Sequence, residues 1–175
     1  MDMKINNSKD LEIKNLLENL VSENGVERKS ARKNLVKKGP VVIDFLMEHI
    51  HHPKHLYRWE ALKTMEEIAD PVSVPLFIEA LEDDESDIRW IAAEGLIKIG
   101  SESINPLLKT LTKKTDSIFI LAGAHHVFHD LNKKNSLPKD FPIDNFLSNI
   151  KKSESDEAIK LLAFQILSNL EEENK

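Results

Sequence analysis

The chain has 175 residues, no cysteine and a formal net charge of −6. That composition excludes disulfides, zinc–thiolate centres and thiol catalysis, and the acidic balance weighs against nucleic acid as the main ligand. With no run of 18 apolar residues and no signal-type apolar core in Met1 to Asp10, the expectation is a soluble, cytoplasmic protein with no membrane partner.

Five apolar stripes set the elements in chain order: Ile13-Leu16-Leu17-Leu20, Ile43-Leu46-Met47-Ile50, Val74-Phe77-Ile78-Leu81, Ile104-Leu107-Leu108-Leu111 and Ile143-Phe146-Leu147-Ile150. Their i, i+3, i+4, i+7 spacing is one face of an α-helix, and all 20 positions read as core. Their last members lie 30, 31, 30 and 39 residues apart, a period that marks a solenoid of helical repeats. A second helix type lies between them. Ala31, Ala61, Ala92 and Ala122 recur at 30, 31 and 30 residues, with Arg28, Arg58 and Arg89 three positions before the first three of them. The Ala-bearing helices are called A and the stripe-bearing helices B.

Expected helices span about 9–23, 26–38, 41–51, 54–69, 72–83, 86–99, 103–113, 116–131, 142–150 and 155–171. Gly39-Pro40, Asp70-Pro71 and Gly100-Ser101 supply stop signals, Ser73 and Ser103 fit N-caps, and Asp84 to Asp87 suits a helix start. The first helix is a lone B type and the last a lone A type, each closing one end of the stack. Residues 9–171 form one domain on this reading. The stretched final interval places a surface insertion loop at 132–141, and 1–8 and 172–175 are expected to fray.

The stretch Ile88-Arg89-Trp90-Ile91-Ala92-Ala93-Glu94-Gly95-Leu96-Ile97-Lys98-Ile99-Gly100 resembles an A helix of the HEAT repeat family in its short form, and Asp70-Pro71-Val72-Ser73-Val74-Pro75-Leu76 resembles that family's turn into the B helix. The resemblance covers about residues 11–170. It implies an all-α, right-handed α-α superhelix, a HEAT/armadillo-like solenoid of about ten helices. It also implies that B helices line the concave face. Glu18, Asp44, Glu48, Glu79 and Lys109 would then stand on that face, acidic for three repeats before turning basic, as a groove for a basic peptide or protein segment. The alternative is an ordinary solvated helix face.

Trp59 and Trp90 share one repeat position on the side of the A helix away from its core Ala, and Ile97 lies seven residues after Trp90, with Ile120 next in the column. This predicts an A-helix face for a partner or a weak homodimer, against rings that merely cover neighbouring arginine stems. The periodic Arg28, Arg58 and Arg89 read as stacking devices bonded to carboxylates or carbonyls, with Asp70 and Glu82 to Asp87 as partners, rather than as an anion ladder. The basic residues of the first A helix, Arg28, Lys29, Arg32, Lys33, Lys37 and Lys38, read as solvated.

All seven histidines fall in two clusters, His49, His51, His52, His55 and His125, His126, His129. His125 and His129 have the i, i+4 spacing of a chelating pair, yet a third ligand is missing, so no metal and no cofactor are assigned. On a strict 30-residue alignment His126 falls on a core position; a two-residue shift instead makes Ala124, Phe128 and Leu131 the core face. No catalytic residue is identified. The His-Glu pairs of HEAT-like hydroxylases are absent, the spot reading Arg58-Trp59-Glu60, and the basic concave face of HEAT-like DNA glycosylases is replaced by carboxylates. The expectation is a non-enzymatic scaffold that binds protein. The alternative is a metal- or cofactor-assisted accessory factor, similar to the bilin-lyase-like group, using His125, His126 and His129.

Overall fold

The computed structural model describes residues 8–152 and 156–173; the expected tails at 1–7 and 174–175, and the expected helix start at 155, lie outside the described residues. Every regular element among the described residues is helical: α1 (Ser8–Leu20), α2 (Gly25–Lys38), α3 (Ile43–Ile50), α4 (His55–Ile68), α5 (Val74–Ala80), α6 (Ser86–Ile99), α7 (Ile104–Leu111), α8 (Ile118–Lys133), α9 (Ile143–Lys152) and α10 (Asp156–Glu173). The all-α solenoid class is as the stripes predict. Ser8 and Glu172, expected in frayed tails, are inside helices. Where the repeat period draws one domain over 9–171, the chain divides into two compact units, Met1–Asp70 and Pro71–Lys175.

In the first unit α1 packs on α2, α3 on α4, and α2 against α4. The stripes of α1 and α3 face Ala31, Leu35, Ala61 and Met65, all buried. Met47 departs from its stripe: it is 41% exposed, so not all 20 stripe positions are core. Asn24 caps α2, its side-chain oxygen accepting from the Val26 amide at 2.9 Å. Gly39 ends that helix at φ +72°, a conformation other residues rarely adopt.

In the second unit α5 packs on α6, α6 on α8, and α7 on α5. Two glycines let these layers close. A Cβ on Gly95 would stand 2.5 Å from the Phe77 ring, and one on Gly123 would stand 2.7 Å from Leu81 Cδ2. Ser73 and Ser103 make no side-chain cap bond; Ser103 Oγ instead donates back to the Leu96 carbonyl at 2.8 Å. Asp87 is in the first turn of α6, but the Glu85 side chain at the cap position makes no cap bond.

The end of the chain breaks the alternation. The stripe-bearing α9 packs beside α8, and α10 lies on α7. α9 therefore joins the A row and α10 the B row, which corrects the expectation of a closing A-type helix. The segment between α8 and α9 is not simply a surface loop. α8 runs to Lys133, Asn135 turns the chain at φ +53°, and the Ser136 amide donates back to the Leu131 carbonyl at 2.9 Å. Phe141 is then buried against Phe128 and Phe146, with ring centres 5.3 and 5.6 Å away. Burying that ring draws the segment inward.

Candidate partner-binding surfaces

In the first unit Glu18 on α1 and Asp44 and Glu48 on α3 are exposed, as the concave reading needs. Trp59 is half-buried, with the Arg32 guanidinium 5.5 Å over its ring. Arg32 and Arg28 converge on the buried carboxylate of Glu60: Arg28 Nε donates at 3.2 Å and Arg32 Nη1 also donates to it, while Arg32 Nε reaches Glu67 at 3.0 Å. Part of the basic face of α2 is therefore folded inward, and Lys29, Lys33 and Lys37 remain exposed.

The periodic arginines have a defined local task. Nη1 of Arg28 donates to the Ser22 and Glu23 carbonyls at 2.7 and 3.1 Å, Arg58 to those of His52 and Pro53 at 3.0 and 3.2 Å, and Arg89 to those of Asp83 and Asp84 at 2.7 and 2.9 Å. Each guanidinium closes the turn before its own helix. It satisfies carbonyls that no helix partner takes.

His52 stacks on Tyr57 at 3.9 Å, and His49 lies 5.5 Å from the same ring. His49 Nδ1 is buried without a hydrogen-bond partner. Burial, and then the neighbouring charge of His52, hold the His49 imidazole below its ordinary 6.5.

In the second unit Glu79 on α5 and Lys109 on α7 are exposed. The A-side surface carries more chemistry. Trp90 of α6 is 58% exposed and stacks on His126 of α8 at 4.6 Å; His126 Nε2 stands 3.0 Å from Glu94 Oε1. The Arg89 guanidinium lies 4.1 Å from the centre of the Phe119 ring. Between these two walls is a cleft of about 330 Å³, also lined by Ala93, Ala122 and Gly123. A second cleft, about 370 Å³, lies between α8 and α9, lined by Ile118, Leu121, Ala122, His125, Ile150 and Lys151.

Two expectations for this face are corrected. Ile97 and Ile120 are buried and lie on no accessible surface. α5 and α8 both pack on α6, so its two apolar sides are both core. The two-residue shift holds: Ala124, Phe128 and Leu131 are buried while Ala122 is exposed. Trp90 therefore corresponds to Ala122, 32 residues on, and not to Ile120. Phe119 and the Glu94–His126 pair were not picked out by the repeat pattern, and Ala122 was aligned with the core alanines although it is exposed; the 32-residue register was the signal that could have placed all of them. His125 and His129 face each other with ring centres 6.2 Å apart, and no group of three or more potential metal ligands gathers among the described residues. Burial first, then the charges of His129, Lys151 and His126, lower the His125 pKa from 6.5.

Residues 43–125 match the family model for HEAT repeats. That stretch is similar to a run of HEAT repeats. Among solved structures, a chain of the complex of CpcE and CpcF of phycocyanin lyase from Nostoc sp. PCC7120 is similar at a TM-score of 0.60 and 20% identity, over 90% of this chain and 98% of that one. At that identity the likeness establishes the fold. No curated protein matches the sequence.

Proposed function

We propose that the protein is a non-enzymatic HEAT-repeat scaffold that captures a protein or peptide partner. The exposed indole of Trp90 carries the reading. It borders an open cleft, is backed by His126 and Glu94, and stands where an aromatic anchor contributes most to an interface. Glu18, Asp44 and Glu48 in the first unit, and Glu79 in the second, are the proposed contacts for a basic segment of the partner. Lys109 is the basic counterpart of Glu79 within the second unit. Affinity purification from the native host, comparing wild type with Trp90→Ala and with Glu48→Lys, tests both surfaces. Partner recovery should fall about tenfold or more with Trp90→Ala while helical content is unchanged. Equal recovery by wild type and both variants rejects the reading.

A second reading draws on the likeness to a chain of phycocyanin lyase. Here the protein is an accessory factor to such a lyase, with His125, His126 and His129 of α8 as its site, His125 lining the α8–α9 cleft. Co-elution with phycocyanin, lost in His125→Ala plus His129→Ala, would favour it over the scaffold.

A further inference from the structure

α10 carries two stripes. Ile159, Ala163 and Ile166 face inward and are buried. Glu157, Leu161, Phe164, Ser168 and Glu171 follow the opposite side at steps of four, three, four and three residues. On that outer side Leu161 is 58% exposed and Phe164 61% exposed, with exposed carboxylates at Glu157 and Glu171 beyond them. α10 is thus a helix with two adjacent apolar anchors set between acids.

The surface of α8 offers two clefts. Ala122 lines both clefts, so the two lie on either side of one small exposed side chain. Residues three apart on a helix have Cβ atoms about 5–6 Å apart, a reach that lets Leu161 and Phe164 straddle such a ridge. Each cleft carries one side chain of opposite charge to the acids of α10, Arg89 at one and Lys151 at the other.

We propose that α8 is the docking surface for α10 of a second copy of this chain, Leu161 and Phe164 entering the two clefts and Glu157 and Glu171 meeting Arg89 and Lys151. The contact joins two different surfaces and is heterologous. It rests on the reading of this face as a protein-binding surface and names the partner.

Sedimentation velocity of the full chain over a wide concentration range tests it. Wild type should associate as concentration rises, and less so at high salt. Ala122→Arg, which blocks the ridge, and Phe164→Glu, which removes an anchor, should each remain monomeric where wild type associates, with unchanged circular dichroism. Should Phe164→Glu lose helicity, Leu161→Lys replaces it. An equimolar mixture of the two variants should form a one-to-one dimer, because one keeps an intact α10 and the other intact clefts. A monomeric wild type, variants that associate like wild type, or a mixture that stays monomeric each overturns the proposal. Partner capture that depends on Trp90 in a chain that stays monomeric would leave the scaffold reading standing and remove this one.

Discussion

The indole of Trp90 lies on the imidazole of His126 with ring centres 4.6 Å apart, and Glu94 holds the far side of that imidazole through Nε2 at 3.0 Å. The three side chains form one strut across α6 and α8. Because Trp90 is largely exposed, its truncation removes little buried area and mainly the stack. A double-mutant cycle of Trp90→Ala and His126→Ala should give a coupling of about 0.5–1.5 kcal/mol in urea unfolding. Additive losses would show that the rings are neighbours without interaction. Partner or self-association should suffer far more than stability.

His49 makes the first unit sensitive to acid. Burial favours its neutral form, so its folded pKa is below 6.5, whereas the unfolded chain takes up a proton near that value. Its contribution to stability is therefore complete above pH 6.5 and is lost as pH falls from there through the lower folded value. His125 acts with the same sign in the second unit. The melting temperature should fall on acidification from about pH 7.5 to about pH 5. His49→Phe keeps a ring beside Tyr57 and cannot titrate, so it should flatten that fall. An identical pH profile in the variant would assign the acid sensitivity elsewhere.

Gly95 allows Phe77 to lie flat on α6. An added Cβ would meet three ring atoms at 2.5, 2.6 and 2.7 Å, and the ring is fully buried, so it has nowhere to move. Overpacking of this kind costs about 2–3 kcal/mol, against about 1 kcal/mol regained from helix propensity. Gly95→Ala should therefore lose about 1–2 kcal/mol net in urea unfolding. Phe77→Leu in the Gly95→Ala background should recover part of it. At Gly123 the obstacle is the end of the flexible Leu81 side chain, so Gly123→Ala should cost less. Equal losses at the two glycines would contradict this account.

Helix positions were legible because each rests on a local 3.6-residue pattern, which survives whatever the chain later packs against. The stripes placed Leu46, Phe77 and Leu107 in the core without error. What depends on pairing between distant segments was not legible. Nothing local to α9 tells it to pack beside α8, and Phe141 gives no sign in sequence that it will join Phe128 and Phe146. Ile97 misled because an apolar outer stripe looks the same whether a partner or a neighbouring helix covers it. Glu60 was read only as the absence of a metal-binding pair. Its burial between Arg28 and Arg32 follows from the approach of α2 to α4, which the sequence states nowhere. Of the candidate surface, Trp90 and the histidines were visible as unusual residues at repeat positions. Their meeting required the 32-residue step from α6 to α8.

The arginine recurring at positions 28, 58 and 89 is the feature where sequence period and structural cause agree most directly. Each guanidinium donates from one nitrogen to two successive carbonyls, six and five residues before it. Charged donors on carbonyls are worth about 1.5–3 kcal/mol per bond before the entropy of fixing the side chain is subtracted. Arg89 adds a face for the Phe119 ring, so its loss should also loosen the wall of the Trp90 cleft. Arg89→Ala is expected to cost about 2 kcal/mol in urea unfolding and to raise amide exchange across 83–86. Arg89→Lys should restore only part, because an ammonium on a flexible stem neither lies flat on the ring nor presents a planar fork. Full rescue by lysine would mean that charge alone, and not the shape of the guanidinium, holds the turn.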